Sequence, residues 1–185
     1  MKKIMALLIT FTMLACSFAV AESVPSKTTG DMTMFEIDVE NPGNEGPVLY
    51  AEPSESADAA LIDLINADSI EAYFADAVTV DGKPAVITEM LELSSQELNI
   101  YEFTGCFAHG FVDDCGRVIG KMTFATPYPE GEKVIAMIGI VKKDYVQWTA
   151  LEGTADETGA IVAVFPQDLV LAIQNGTAMI AIISK

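Results

Sequence analysis

The stretch from Lys133 to Val141, K-V-I-A-M-I-G-I-V, restricts the fold more than any other part of this chain. It is a short apolar run with no polar face, bounded by Gly131 and by Lys142 and Lys143. Such a run reads as a β-strand buried on both faces. Alternating segments and turn signals on either side of it supply the other strands. The predicted class is mainly β, an immunoglobulin-like β-sandwich with one or two short helices.

Those other segments follow simple periodicities. Met32 to Glu40 alternates, with Thr33, Phe35, Ile37 and Val39 on one side, as a strand with one wet face does. The Asn41-to-Pro47 segment breaks it, and Val48-Leu49-Tyr50 is a possible edge strand. Ser54 to Asn66 carries Leu61, Leu64 and Ile65 at helical spacing, with Ser54 or Ser56 as the cap. Asp68 and Glu71 have the spacing of a capping box for a second, shorter helix. Asp81-Gly82-Lys83-Pro84 reads as the turn of a small hairpin between Thr79-Val80 and Ala85-Val86-Ile87, and Glu89 to Leu93 fits strand or helix.

Leu98 to Thr104, Arg117 to Thr126, Tyr145 to Leu151, Ala160 to Phe165 and Thr177 to Ile183 read as further strands. In the first, Leu98, Ile100 and Glu102 alternate against Asn99, Tyr101 and Phe103. Leu169, Val170 and Ile173, after Pro166, place a helix before the last strand. Many short strands at close spacing point to a sandwich, although the cysteine–tryptophan–cysteine signature of antibody domains is missing.

The N-terminus has the form of an export signal. Lys2 and Lys3 precede an apolar core from Ile4 to Ala15, and Ala19-Val20-Ala21 is a small-residue cleavage site. The expected organisation is a signal peptide over 1–21, a linker with a possible edge strand over 22–53, and one domain over 54–185. Met13-Leu14-Ala15-Cys16 also resembles a bacterial lipobox, which would make Cys16 a lipid anchor. The mature chain is therefore expected to be secreted or at the cell surface, with no transmembrane span.

Charge removes some partners. Cleavage takes away two lysines and no acid, moving the net charge from −17 to −19. Phosphate recognition needs clustered Lys and Arg, so nucleic acid and anionic lipid are not expected partners.

Few residues point to chemistry. Cys106 and Cys115 flank a short segment in a chain bound for an oxidising compartment, which predicts a structural disulfide. Closing that loop would stabilise the fold by roughly 2.5–3 kcal/mol. His109, the only histidine, lies between them near Asp113 and Asp114, but paired zinc ligands at close spacing are missing. No Gly-x-Ser-x-Gly elbow exists for a hydrolytic triad. Asp113-Asp114 and Asp156-Glu157 do not fit a calcium loop. No cofactor and no metal ligand is assigned. By strand parity Trp148 pins the core and Tyr145 faces out, and Tyr101, Tyr128 and Tyr145 are candidates for an aromatic contact surface.

Several segments carry a resemblance: F-A-T-P-Y (Phe124 to Tyr128), V-I-A-M-I-G-I (Val134 to Ile140), W-T-A-L-E-G (Trp148 to Gly153), V-F-P (Val164 to Pro166) and I-Q-N-G-T-A (Ile173 to Ala178). With E-A-Y-F-A-D-A-V (Glu71 to Val78) and N-I-Y-E-F (Asn99 to Phe103), this pattern resembles a family of small exported β-sandwich domains of Gram-positive bacteria. The family has no assigned activity, so the resemblance implies a secreted module and transfers no site residue. The segment from Cys106 to Cys115 departs from the pattern. The functional expectation is a non-enzymatic interaction module for a protein or glycan. A carboxylate-dependent glycan-processing hydrolase is the alternative, and an inhibitor or chaperone-like binder with an exposed sheet edge is a third reading.

Overall fold

The computed structural model describes the backbone of residues 32–39, and residues 49–109 and 118–185 in full. The segment expected to be a signal peptide, with Cys16, most of the expected linker, and Cys115 lie outside the described residues. The described strands are β1 (Met32–Val39), β2 (Leu49–Glu52), β3 (Val78–Thr79), β4 (Asn99–Ala108), β5 (Val118–Phe124), β6 (Lys133–Val141), β7 (Val146–Ala155), β8 (Ile161–Phe165) and β9 (Ala178–Ser184). The helices are α1 (Glu55–Ile65), α2 (Ile70–Tyr73), α3 (Ile87–Leu91) and α4 (Gln167–Asn175).

The protein is mainly β, as expected, but the immunoglobulin-like sandwich is not confirmed. The strands make one hydrogen-bonded path, β1-β5-β8-β7-β6-β9-β4-β2, antiparallel throughout, with β3 added parallel to β7. The sheet curls until β1 and β2, the two ends of that path, lie beside each other. The curl gives it an enclosed face and an outer face.

Two cores follow from that shape. Val134, Ala136, Ile138 and Ile140 of β6 point into the enclosed face with Met122, Leu151, Ile161, Phe165, Ile180 and Ile182. Ile135 and Met137 point outwards, where α1, α2 and α3 cover the sheet with Ala57, Leu61, Leu64, Phe74, Ile87 and Leu91. The K-V-I-A-M-I-G-I-V strand is thus buried on both faces because sheet lies on one side and helices on the other. β9, A-M-I-A-I-I-S, is buried along its whole length for the same reason. Each fully buried side chain of this kind contributes about 1.5–3 kcal/mol.

α4 closes one end of the curl. It links Phe165 to Ala178, crosses the end where Val118 and Ile140 lie, and puts Leu169, Val170 and Ile173 into the enclosed core. Among the described residues Leu49 to Glu52 pairs only with β4, which makes it the short edge strand expected there.

Local signals decided the helices with two corrections. α1 starts where expected, with the Ser54 hydroxyl accepting the Ala57 N–H at 3.1 Å. α2 is capped one residue later than the capping box implied: Ser69, not Asp68, accepts the Ala72 N–H at 3.0 Å. Glu71 instead reaches across the chain, and its carboxylate accepts the N–H groups of Ile87 (3.0 Å) and Thr88 (3.1 Å) at the start of α3. The turn at Gly82 forms, with φ +74°, but its return arm gives only a bridge from Val78 to Pro84 before α3 begins. No described helix is long and apolar enough to cross a membrane.

Candidate functional site

The end of the sheet opposite α4 is open. There a cleft of about 750 Å³ lies between β4, the turn after β5, the start of β6 and the end of β9. Its making begins with an irregularity in β4. Ile100 faces Ile183 of β9 and Glu102 faces Ile182, so Tyr101 is an extra residue in the ladder, a β-bulge. The bulge reverses the alternation. Ile100 and Phe103 both pack under the helices, and Glu102 joins the enclosed side with Cys106 and Ala108. Tyr101 and Glu102, neighbours in sequence, therefore both line the cleft.

Tyr128 comes from the turn Pro127-Tyr128-Pro129, where both flanking residues have a fixed φ. Its N–H donates to the carbonyl of Gly159 at 3.0 Å. Gly159 has φ +77°, and a Cβ there would lie 2.4 Å from the Cβ of Pro127, so only glycine lets the two turns meet. The Tyr128 ring stands edge-on to Tyr101 (5.7 Å between centroids) and to Phe124 (5.1 Å). The Tyr101 hydroxyl donates to the main-chain carbonyl of Lys185.

Glu132 and Ser184 complete the polar part. Ser184, fully buried at the end of β9, donates its hydroxyl to the Glu132 carboxylate. Glu102 is 3 % exposed. Burial raises the pKa of Tyr128 well above the ordinary phenol range, and the charges of Glu102 and Glu132 add to it. Burial and Glu132 raise that of Tyr101 in the same way. Both phenols thus stay protonated and neutral at physiological pH. The Tyr128 hydroxyl is itself buried and has no hydrogen-bond partner among the described residues. An orphaned group of this kind costs about 1–3 kcal/mol. Leu91 and Leu93, at and after the end of α3, form an apolar wall.

The structure brings together two of the three tyrosines expected to form a contact surface. Tyr145 is 64 % exposed, but it follows the far end of β6, about 25 Å along the strand from the cleft at Lys133. Glu102, Glu132 and Ser184 were not singled out from the sequence, because the unbroken alternation put Glu102 beside Ile100. An acid inside N-I-Y-E-F-T was the available signal.

The remaining candidates lie elsewhere. Cys106 is buried on the enclosed face, where burial pushes its thiol up to about 12. Its expected partner, Cys115, lies outside the described residues, so the disulfide rests on the sequence alone. His109 is exposed just after β4, and Asp113 and Asp114 lie outside the described residues. Asp156 is occupied by its own turn. It accepts from Lys121 (2.8 Å), from the Thr158 N–H (2.8 Å) and from the Ala160 N–H (3.1 Å), and these donors hold its carboxyl well below the usual range.

No protein-family model, no curated protein and no solved structure matches the chain.

Proposed function

We propose that this protein is a non-enzymatic binding module, secreted or held at the cell surface, which takes its ligand in the cleft at the open end of the sheet. The observation that supports this is the pairing of Tyr101 with Tyr128 in a concavity of about 750 Å³. That volume is in the range of small-molecule pockets, and the mouths of curled sheets are common places for them. Leu91 and Leu93 give an apolar wall, and Glu132 gives a polar anchor.

A glycan-processing hydrolase is the second reading, because Glu102 and Glu132 line the same cleft. Burial weighs against it. A carboxylic acid that is 3 % exposed has little access to a sugar oxygen, and Glu132 already receives the Ser184 hydroxyl. A two-carboxylate mechanism needs both groups to face the scissile bond.

Ligand-observed NMR with a fragment set of amines, neutral glycosides and carboxylates tests the module reading. Fragments are expected to bind the wild-type protein, and Tyr101→Ala is expected to weaken them about tenfold, given aromatic contacts of ~0.5–1.5 kcal/mol plus lost area. Hits that ignore Tyr101→Ala, or an absence of hits, would remove the cleft from the proposal.

Export, the Cys106–Cys115 disulfide and the sandwich-like exported family belong to the same proposal, with the Cys16 anchor as the alternative to release. Their support is the leader-like N-terminus and the cysteine spacing. The intact mass of the native protein, read with and without reductant, tests the first, second and last together. The expected form begins at Glu22 and gains two hydrogens on reduction. Unchanged mass on reduction would sink the disulfide, and a lipid-bearing Cys16 at the N-terminus would replace release by anchoring.

A further inference from the structure

We infer that the cleft's occupant is a small organic cation, an ammonium group carried on an apolar body, seated against the Tyr101 and Tyr128 rings and facing Glu132. This assignment rests on the cleft being the ligand site and names the chemistry it selects.

Three observations carry it. The first is aromatic. Two tyrosine rings 5.7 Å apart at 67° line one concavity, and the negative faces of such rings attract a cation within about 6 Å. The second is charge. Glu102 and Glu132 are the acids of the cleft; the charge of Glu132 reaches both phenols and that of Glu102 reaches Tyr128. Lys133 and Lys185 also line the cleft, but each faces an acid that does not. Lys133 is 65 % exposed with its Nζ 3.7 Å from Glu92, outside the cleft, and exposed Lys185 acts on Glu97. The third is shape. Leu91, Leu93 and the prolines of the Pro127-to-Pro129 turn give the site an apolar remainder, which suits the carbon body of an amine and not a bare metal ion. No group of three potential metal ligands occurs among the described residues.

An anion would meet the Glu132 carboxylate, and a neutral sugar would gain nothing from its charge. A quaternary ammonium needs no hydrogen bond and is therefore the cleanest probe.

The experiment is a titration of the full chain, lacking only its leader, with choline and with its uncharged isostere 3,3-dimethylbutan-1-ol, followed by backbone NMR shifts. Choline is expected to bind at least about tenfold more tightly than the isostere, the ratio that a partly desolvated cation–π contact supplies. Tyr101→Ala and Glu132→Gln are each expected to weaken choline by about fivefold or more, whereas Tyr101→Phe keeps the ring and the affinity. Raising salt to about 1 M should weaken choline and leave the isostere unchanged. Equal affinity for choline and the isostere overturns the cation assignment and leaves the cleft standing as a ligand site. An absence of shifts with choline overturns it too, and the fragment set then decides separately whether the cleft binds anything. Glu132→Gln is partly exposed and is the variant to rely on where Tyr101→Ala fails to fold.

Discussion

Trp148→Ala is expected to lower stability by about 3–5 kcal/mol, read as a shift of the urea midpoint at constant slope. Trp148 is 7 % exposed on the outer face of β7 and anchors the helical layer to the sheet. Its ring stands edge-on to Phe74 at 4.9 Å, and Tyr73 and Phe103 complete the contact at 6.1 and 6.0 Å. Edge-on pairs add about 0.5–1.5 kcal/mol each to the area they bury. Underneath lies Gly139 of β6, where a Cβ would sit 2.7 Å from the indole. Gly139→Val should therefore cost about 1–3 kcal/mol in the wild type by overpacking. In the Trp148→Ala background it should cost clearly less, because the new side chain enters the vacated space, and the double-mutant cycle measures that coupling. A loss under about 1 kcal/mol for Trp148→Ala would mean that the helices do not pack on β7 as described.

What the sequence made legible was local. The two-faced burial of Lys133 to Val141, the Ser54 cap, the buried Trp148 and the exposed Tyr145 all follow from period, cap chemistry and parity within a few residues. What it hid depends on pairing across the chain. Nothing within β6 distinguishes a second sheet from a layer of helices as the cover for its outer face, since either buries Ile135 and Met137 equally well. The curl likewise arises from β1 and β2 meeting at the ends of an eight-strand path.

The cleft was half legible. Tyr101 and Tyr128 stood out as aromatics, but their convergence needs a bulge in β4 and the meeting of the Tyr128 turn with Gly159. A bulge adds one residue to one strand, and its only trace in sequence is a broken alternation. Ile100 and Phe103, three apart yet on one face, are that trace. The role of Glu71 is hidden for a related reason: its spacing from Asp68 fits a local cap, and its partners lie sixteen and seventeen residues on.

That long reach makes Glu71→Ala the second large effect, at about 2–3 kcal/mol, measured by the same urea melts. α3 has no capping side chain at the residue that precedes it, Val86. The Glu71 carboxylate supplies what is missing by accepting two N–H groups there, and hydrogen bonds to a charged group are worth about 1.5–3 kcal/mol each when partly shielded. The loss lies toward the low end because Glu71 is half-buried and water can replace part of the contact. Glu71→Gln keeps one acceptor and should lose about half as much. The substitution should also be felt in the cleft, because α3 ends at Leu91 and Leu93 follows, and both form its apolar wall. Choline affinity is therefore expected to fall with Glu71→Ala although the residue lines no part of the cleft, and to recover with Glu71→Gln. Full stability in Glu71→Ala would show that α3 is held by Ile87 and Leu91 alone, and a cleft that then bound unchanged would remove α3 from its walls.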